Sequence, residues 1–471
     1  MRAAISRFWA HPPADALRWV TLIALMPRLV AALFSKGYFA VDDHFLVIEA
    51  AASWVDGFDY NHWLPWNQGE GARPGGHSYF YVGLHYLLIR GLKAMGLAEP
   101  QAIMVAIRLL HALWSLVAVR AGWRIAMRIA TPAAAWQAGL LLALLCYMPF
   151  LSVRNLVEVA CIPFLMLGAL RLVHAGGPWR GALIGGLWIG MAMNVRFQVI
   201  FLAAGAGLAY LLQRDWRSAL AYGLGALLPL AAVQGLLDLL IWGRPWAELT
   251  AYVAHNLTHA TSYVVLPWYN YLLLLAGLFI PPLSLAVLFG FFREPKPLAP
   301  WLGALLFLAA HSAIPNKQER FLLPIVPLFL VLGYCSWETW RARSAWWARH
   351  AGLWNGALAI VWAINLLLLP ILSTTYSKRS RVEAMVALRG EIPLGGLVID
   401  DPIEDPPMPP LFYLGQWDMG VFPWGPDHAS DTLRQWLRRW GVAGRTHQVL
   451  FIGEERIEER IARMEREYGP V

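Results

Sequence analysis

Asn316-Lys317-Gln318-Glu319-Arg320-Phe321 places three charged side chains between two runs, 299–313 and 321–337, that are apolar enough to cross a bilayer. A charged side chain at the centre of a bilayer costs about 2.5–3.5 kcal/mol, even on scales derived from membrane insertion. We therefore expect these charges at a water interface or lining a site. The stretch predicts a membrane protein with a polar site at one end of its helices.

The composition of the whole chain also indicates a membrane protein. Of 471 residues, 58% are hydrophobic and only 14% are charged, and the mean hydropathy is +0.49. This apolar surface exceeds what a soluble core can bury, so the chain is interpreted as polytopic. The three cysteines, Cys146, Cys161 and Cys335, all lie in apolar runs, which argues against a disulfide framework or a metal site.

The charge distribution divides the chain near residue 375. Residues 375–471 hold 15 of the 30 acidic residues but only 12 of the 38 basic residues, a net charge of −3. Since the whole chain carries +8, residues 1–374 carry +11. Excess Lys and Arg is typical of cytoplasmic loops, and we expect no binding to nucleic acid. The sequence predicts a polytopic transmembrane domain over 1–374 and a small soluble domain over 375–471.

The small domain has the pattern of an α/β fold. Residues 396–399 and 449–452 look like short strands, whereas 429–440 and 454–468 have charged residues at helical spacing. The Pro-rich stretch 401–410 is expected to be a rigid loop.

The larger domain is predicted to be all-α. Apolar runs of roughly the 20 residues that a span needs occur at 17–35, 78–97, 104–122, 132–150, 156–174, 181–212, 218–236, 268–291, 299–313, 321–337 and 352–373. The clusters of Lys and Arg can all lie on the cytoplasmic side of the membrane only if two conditions are met. The run 78–97 must lie in the interface, and the run 181–212 must be two halves broken at Asn194-Val195-Arg196. The prediction is then about 11 transmembrane helices, with the N-terminus inside and the tail outside.

One group of polar residues follows the first predicted span. Asp42 and Asp43 are adjacent, His44 comes next, and Glu49 follows at helical spacing. Two carboxylates that open a helix could simply be caps. Alternatively, one of them could take a proton from a hydroxyl nucleophile, while the other or His44 holds it in place.

Further polar residues lie at the predicted outer ends of spans. Arg154 could snorkel to the interface, but the nearby Glu158 needs a partner. Arg196, with Gln198, lies at the helix break, where it could satisfy freed carbonyls or bind phosphate through its paired donors. The other candidates on this face are Asn155, Asp238, Trp268 and His311. Tryptophan also concentrates at membrane interfaces without any ligand.

Several of these stretches together resemble a known family. His311-Ser312 with 316–324, Asn-Lys-Gln-Glu-Arg-Phe-Leu-Leu-Pro, is similar to the HKEERF-type signature of glycosyltransferase family 22, the dolichyl-phosphate-mannose-dependent mannosyltransferases of N-glycan and GPI-anchor assembly. Other family elements match, in order, at Asp42-Asp43-His44-Phe45 with Glu49, at Asn155 with Glu158, at Asp238 with Gly243, and at Pro267-Trp268. The sequence departs from the family pattern at Asp43, Leu46, Arg154, Trp242 and Asn316.

The resemblance implies the C-type glycosyltransferase fold and a hexosyltransferase that is expected to use mannose. The donor would be a polyprenyl-phosphate sugar, and the acceptor a glycan or glycolipid hydroxyl on the extracytoplasmic face. An inverting single displacement is implied, with Asp42 and Asp43 as catalytic residues and Asp42 as general base. Substrate binding would involve His44, Glu49, Asn155, Glu158, Arg196, Gln198, Asp238, Trp268, His311, Lys317, Glu319 and Arg320. Among these, Lys317, Arg320 and Arg196 would hold the phosphate.

This scheme requires no cofactor, because protein cations can neutralise the leaving phosphate. Asp42 and Asp43 could coordinate a divalent ion, but no metal is needed. The lipid donor, the acceptor and membrane lipid are the expected partners. A bacterial inner membrane, with the active site facing the periplasm, is the expected location.

Three alternatives remain open at the sequence level. A lipid-linked sugar flippase or transporter would also place charges within a membrane and use broken helices. A C-type transferase could act on protein or lipid A instead of a glycan. A non-catalytic scaffold could use residues 375–471 as a binding module.

Overall fold

The computed structural model describes residues 11–173, 179–390, 394–401, 408–424, 436 and 446–468. They form two compact units. The first unit comprises Met1–Lys36, Leu64–Gly83 and Val105–Thr375, and the second comprises Gly37–Trp63, Leu84–Met104 and Tyr376–Val471. The last division of the chain lies between Thr375 and Tyr376, and the two domains expected from the charge distribution stay a prediction. The structure adds the first loop, 37–63, and residues 84–104 to the C-terminal unit, which the charge distribution does not indicate.

Helices account for most of the described chain. Up to residue 172 they are α1 (Ala16–Phe34), α2 (Val41–Asp43), a π-helical turn (His44–Glu49), α3 (Ala50–Val55), α4 (Pro65–Gln68), α5 (Tyr79–Ala94), α6 (Pro100–Ile129), α7 (Pro132–Leu144), α8 (Tyr147–Ser152), α9 (Val157–Ala160) and α10 (Ile162–Leu172). Up to residue 258 they are α11 (Trp179–Val195), a 3-10 turn (Phe197–Val199), α12 (Ile200–Leu212), α13 (Trp216–Pro229), a second π-helical turn (Leu230–Gly235), α14 (Leu236–Trp242) and α15 (Ala247–Thr258).

The remaining elements include the only strands of a sheet in the described residues. They are α16 (Asn270–Leu278), α17 (Leu283–Arg293), α18 (Leu298–Ala313), a 3-10 turn (Glu319–Ile325), α19 (Val326–Arg343), α20 (Ala345–Arg349), α21 (Ala351–Ser373), α22 (Arg379–Leu388), β1 (Leu394–Asp400), α23 (Leu411–Leu414), β2 (Gly420–Pro423), β3 (Thr446–Phe451) and α24 (Ile457–Tyr468).

Five helical segments of the described chain are long and apolar enough to cross a membrane. They are Ala16–Phe34, Pro100–Ile129, Trp216–Trp242, Glu319–Arg343 and Ala351–Ser373. Shorter apolar helices lie at Pro132–Leu144, Phe197–Leu212, Leu283–Arg293 and Leu298–Ala313. The protein is therefore an integral multi-pass membrane protein, as the composition predicts. The number of 11 spans stays a prediction.

Some apolar runs that read as single spans are interrupted in the structure. The predicted run 132–150 forms α7 and α8, which are separated at Leu145 and Cys146. The side chain of Asn365 on α21 satisfies this break, because it accepts from the Cys146 N–H at 2.7 Å and donates to the Leu144 carbonyl at 2.8 Å. Irregular backbone at membrane depth is tolerated where protein groups replace the lost helical hydrogen bonds.

The predicted break in the run 181–212 is present. The α11 helix ends at Val195, and Arg196 adopts an extended conformation before the 3-10 turn and α12. Gly186 packs against the Tyr222 carbonyl and Gly190 against the Ala226 carbonyl. Residue numbers thus rise in the same direction along α11 and α13, so the two helices are parallel. Since α12 connects them, it returns in the opposite direction, and α11 and α12 form the two arms of a hairpin.

The second unit contains the predicted α/β part. Its three strands are parallel, in the order β2-β1-β3, with Val398 opposite Phe422 on one side and Val449 on the other. Val398, Phe422, Trp424 and Met464 form the buried core beneath the sheet. Strands β1 and β3 and helix α24 confirm three sequence predictions, while β2 was not predicted. The predicted helix 429–440 and most of the predicted loop 401–410 lie outside the described residues.

Candidate active site

Three separate segments of the first unit meet at one buried carboxylate. Glu158 lies in α9, Arg196 lies at the hairpin break, and Arg320 lies in the 3-10 turn Glu319–Ile325. The Glu158 carboxylate is fully buried, and its Oε1 is 3.1 Å from Arg196 Nη2 and 3.8 Å from Arg320 Nε. We call Glu158, Arg196, Arg320 and the two glutamines described next the arginine cluster.

Each guanidinium of the arginine cluster is oriented by a glutamine two residues away. Arg196 Nε donates to Gln198 Oε1 at 3.0 Å, and Arg320 Nε donates to Gln318 Oε1 at 2.9 Å. Both guanidinium groups lie over the Phe321 ring, 5.1 and 5.7 Å from its centroid. Two cations against one carboxylate leave an excess of positive charge, and the arginine side chains keep 12% and 13% of their surface exposed. The arrangement suits an anion with several oxygen acceptors.

Lys317 binds the C-terminal end of α18. Its Nζ donates to the carbonyls of His311 at 3.1 Å and Ser312 at 3.0 Å, and also to the carbonyl of Ile314. An ammonium has three donors, so all of them are used here. Burial lowers the pKa of this ammonium from its usual value. The phosphate-binding role of Lys317 stays a prediction, and its geometry is that of a helix cap.

The neighbours of Lys317 differ in exposure. His311 is buried, its ring stacks on Phe307 at 4.1 Å, and its Nδ1 donates to the Phe307 carbonyl at 2.8 Å. By contrast, Glu319 is exposed, and Trp268 is 64% exposed. The sequence signature therefore contains both buried structural groups and surface groups.

Asn155 and Asp238 each belong to a hydrogen-bond chain within the first unit. The hydroxyl of Tyr81 donates to Asn155 Oδ1 at 2.7 Å and lies 3.0 Å from His111 Nε2. The buried Asp238 carboxylate accepts from Gln234 Nε2 at 2.8 Å, and the Gln234 N–H donates to the side chain of Asn194 at the hairpin break. Asp238 is thus linked to the arm that carries Arg196.

The two candidate catalytic carboxylates belong to the second unit and occupy the first turn of α2. The helix begins at Val41 after the extended residue Ala40, so neither Asp42 nor Asp43 is the N-cap residue. Asp42 is exposed, whereas Asp43 is 3% exposed. Carboxylates in the first turn are favoured by the helix dipole, and the π-helical turn His44–Glu49 follows directly. Such turns occur frequently at functional sites.

His44 and Glu49 are buried behind these carboxylates. The imidazole Nε2 lies 3.3 Å from Glu49 Oε1, and the same oxygen accepts from the Phe412 N–H at 3.0 Å. Burial, and after it the negative charge of Glu49, raises the pKa of the Tyr60 phenol. Among the described residues, no group of three or more His, Cys, Asp or Glu side chains is arranged to hold a metal ion.

Residues 19–391 of the sequence match the Alg9-like mannosyltransferase family. The chain belongs to this family. Its membrane region, the first loop and the signature around Lys317 all lie inside the matched range, which confirms the resemblance read from the motifs. Most of residues 375–471 lies outside it.

One curated relative of this Alg9-like chain is GPI mannosyltransferase 3 of Saccharomyces cerevisiae. The two are 24% identical over 187 residues, which is 36% of this chain and 29% of the relative. The matched region thus spans less than a third of the length of that enzyme.

Solved structures support the fold of this Alg9-like protein. ArnT from Cupriavidus metallidurans bound to undecaprenyl phosphate has a TM-score of 0.57 and 16% identity, over 96% of this chain and 91% of that one. An oligosaccharyltransferase from Archaeoglobus fulgidus, tethered to an acceptor peptide, has a TM-score of 0.50 and 12% identity, over 86% of this chain and 63% of that one. At this identity the likeness shows an ArnT-like fold only.

Several residues of the Alg9-like protein that complete the site were not predicted from the sequence. Gln318 and Phe321 lie in the quoted hexapeptide but were given no role, although they orient Arg320. Tyr81 lies in a helix that also contains Tyr79 and Tyr86, so the sequence does not distinguish it from its neighbours. Glu248 is fully buried and accepts from the N–H groups of Gly76 and His77 at 2.6 and 3.0 Å. A lone acidic residue at the start of a helix gives no sequence signal of this kind.

Arg154 has a structural role that the sequence left open. Its guanidinium donates to the Lys36 carbonyl at 2.9 Å, to Ser35 Oγ at 2.7 Å and to the Thr375 carbonyl at 3.1 Å. It also lies over the Phe150 ring at 4.5 Å. The side chain is 3% exposed, so it does not snorkel to water but joins the segments that follow α1 and α21.

Proposed function

We propose that the protein transfers mannose from a polyprenyl-phosphate donor to a hydroxyl of a glycan or glycolipid on the extracytoplasmic face, with inversion at the anomeric carbon. The arginine cluster is the observation that carries this proposal, because it orients two guanidinium groups around a single buried carboxylate. Membership in a mannosyltransferase family favours mannose as the sugar. The membrane is proposed to be the bacterial inner membrane, with the active site facing the periplasm.

Arg196 and Arg320 are the proposed ligands of the donor phosphate. Each guanidinium is held at its Nε by a glutamine, and Arg196 Nη2 is also paired with Glu158. Guanidinium groups fixed in this way can bind phosphate oxygens through several N–H donors. The charge on the phosphate grows as the sugar leaves, so pre-oriented cations stabilise the transition state more than the ground state. A protein of the same fold was crystallised with undecaprenyl phosphate, which supports a lipid phosphate as the donor class.

Asp42 is the proposed general base, because it is exposed whereas Asp43 is buried. As the acceptor oxygen forms its bond to C1 of the sugar, its proton passes to the Asp42 carboxylate. The bond between C1 and the phosphate oxygen breaks, and its electron pair leaves with the polyprenyl phosphate. Asp43 and His44 are proposed to orient Asp42. Asn155, Trp268 and Glu319 remain proposed substrate contacts.

Purified protein in liposomes tests this function. The liposomes contain a polyprenyl-phosphate mannose labelled in the sugar and, as acceptors, total lipid from the bacterium that carries the protein. We expect label to move to a new glycolipid, and we expect Asp42→Asn and Arg320→Ala to reduce that transfer strongly. Label that crosses the bilayer but stays on its lipid would show a flippase and overturn the proposal.

A further inference from the structure

We propose that the segment 410–417 of the C-terminal unit is a positioning element for the carboxylates of α2, with Tyr413 as its key side chain. This inference rests on the proposed function, since it assigns Asp42 and Asp43 to catalysis. It gives residues 375–471 a role in the reaction, although most of them lie outside the range matched by the family. All the contacts that carry the inference lie inside the second unit.

The first contact is an aromatic stack around His44. The His44 imidazole lies between two tyrosine rings, with Tyr38 at 4.5 Å and 13° between planes, and Tyr413 at 5.6 Å and 12°. His44 is 2% exposed and follows Asp43 directly. One ring of the stack precedes α2 in the chain, and the other comes from α23. The stack therefore fixes the backbone immediately next to the proposed catalytic pair.

The second contact is a hydrogen bond to the other end of the π-helical turn. Glu49 is fully buried, and its Oε1 accepts from the Phe412 N–H at 3.0 Å. Phe412 lies in the first turn of α23, where backbone N–H groups have no partner within the helix. A buried carboxylate needs such donors. The C-terminal segment thus supplies a group that the first-loop helix requires.

A third contact lies one helix further along the first loop. Trp417 Nε1 donates to Asp56 Oδ2 at 2.9 Å, and Lys93 Nζ forms a 2.5 Å ion pair with Asp56 Oδ1. Asp56 directly follows α3. Residues 412, 413 and 417 therefore contact the first loop at three points. Glu49 and His44 are the last and first residues of the π-helical turn, and Asp56 follows α3.

The chemical consequence concerns the orientation of Asp42. A displacement of about 1 Å in a reacting group can cost roughly 100-fold in rate, and a single turn of helix is too short to hold its own geometry. The stack and the Glu49 hydrogen bond supply the missing restraint. Loss of the Tyr413 ring should therefore reduce turnover without changing the affinity for the donor phosphate.

The test compares Tyr413→Leu with Tyr413→Phe in the full-length protein. The leucine variant keeps an apolar side chain but loses the stack, and we expect it to lower kcat by about 10- to 100-fold with donor KM changed less than about 2-fold. The phenylalanine variant keeps the ring, and we expect it to restore kcat to within about 3-fold of the unmodified protein.

Val398→Ala is the matched control for stability. Val398 belongs to the core of the C-terminal sheet and to neither the stack nor the Glu49 contact, so its truncation lowers thermal stability without touching α2. Temperatures of measurement are chosen so that each variant stays folded. If Val398→Ala lowers kcat as much as Tyr413→Leu at an equal loss of melting temperature, the segment acts through stability alone and the proposal is overturned.

A double substitution separates this inference from the proposed function. If Tyr413 acts through Asp42, then Tyr413→Leu should cause little further loss in an Asp42→Asn background. If the double variant instead loses kcat by the product of the two single fold-reductions, Tyr413 does not act through Asp42 and the positioning role is overturned. If Asp42→Asn and Asp43→Asn are both fully active, the proposed function itself fails. If they are inactive while Tyr413→Leu is fully active, only the present inference fails.

Discussion

Glu158 shows what a single buried residue contributes to the candidate site. A buried carboxylate needs a partner, so the sequence could predict that Glu158 has one, and the topology could place Arg196 and Arg320 on its face. The sequence could not predict the two glutamines that fix the guanidinium groups, because a glutamine two residues from an arginine is an ordinary pattern. The sequence also did not indicate that the ammonium of Lys317 donates to three backbone carbonyls. A family signature gives the types of residues but not the directions in which their side chains point.

Substitution of Arg320 by lysine should weaken donor binding. A lysine keeps the charge but loses the planar set of donors and the hydrogen bond to Gln318. We expect the donor KM to rise about 10-fold, which corresponds to roughly 1.4 kcal/mol, while Arg293→Lys at an exposed arginine leaves it unchanged. Steady-state kinetics with the labelled donor measure both. An unchanged donor KM for Arg320→Lys would remove Arg320 from the phosphate site.

Lys317→Met should lower stability more than donor affinity. Methionine fills a similar volume but leaves three carbonyls at the end of α18 without their donor, and an unsatisfied buried acceptor costs about 1–3 kcal/mol. We expect a lower melting temperature in detergent and a donor KM within about 2-fold of the unmodified protein, a change of under roughly 0.5 kcal/mol. The opposite pattern, with normal stability and a greatly raised KM, would show that Lys317 binds phosphate.

At the scale of elements, hydropathy locates the apolar runs but not all of their interruptions. The break at Arg196 could be predicted, because one charged residue divides an apolar run that is too long for one span and too short for two. The break at Cys146 could not, because the residue that compensates it, Asn365, lies more than 200 residues later. Strand β2 has four residues, Gly420–Pro423, and is too short to show an alternating pattern.

The parallel contact of α11 and α13 should depend on Gly186. A Cβ at this position would lie 2.3 Å from the Tyr222 carbonyl oxygen, which is backbone and cannot rotate away. We expect Gly186→Ala to destabilise the protein by about 1–3 kcal/mol, the usual cost of overpacking. Gly223 on α13 has nothing within 4 Å of such a Cβ, so Gly223→Ala should be neutral or stabilising. Equal melting temperatures for the two variants would contradict the close packing.

Glu248, which accepts hydrogen bonds from the loop at Gly76 and His77, should make the stability of the protein depend on pH. Burial raises the pKa of Glu248 from 4.5 to about 7 in the folded protein. Between these values the folded state binds more protons than the unfolded chain, so the free energy of unfolding falls as pH rises through this window. We expect the melting temperature of the unmodified protein to fall, relative to Glu248→Gln, between pH 5 and pH 8. Glu70→Gln, at an exposed residue, should leave the pH dependence of the melting temperature unchanged. If the difference in melting temperature between the unmodified protein and Glu248→Gln is the same at every pH, this prediction is wrong.

At the scale of the whole molecule, composition indicates a multi-pass membrane protein, and the charge distribution predicts a boundary near residue 375. It could not show that the first loop belongs with the C-terminal segment, because the contacts between Glu49 and Phe412 or Asp56 and Trp417 join residues without complementary sequence patterns. Backbone N–H groups and aromatic rings carry no net charge, so a charge profile does not reveal these contacts.

Membrane orientation can be measured with single cysteines. Cys146, Cys161 and Cys335 are buried, so a maleimide that does not cross membranes should report only added thiols. In intact cells with a permeable outer membrane, we expect Ser262→Cys on the predicted outer face to be labelled. Ala345→Cys, beside the cluster of Arg341 and Arg343, should react only after the inner membrane is opened. The reverse pattern would invert the topology and exclude a periplasmic site.

The hydrogen bond between Phe412 and Glu49 joins residues 363 positions apart in the chain, and this separation has a consequence for biosynthesis. At a translation rate of roughly 5–20 residues per second, the first loop leaves the ribosome about 20–70 s before its partner exists. During this interval Glu49 cannot accept the hydrogen bond from Phe412. A nascent chain that stops before α23 therefore lacks the N–H donor that Glu49 uses, and the first loop is completed only when this later segment has been made.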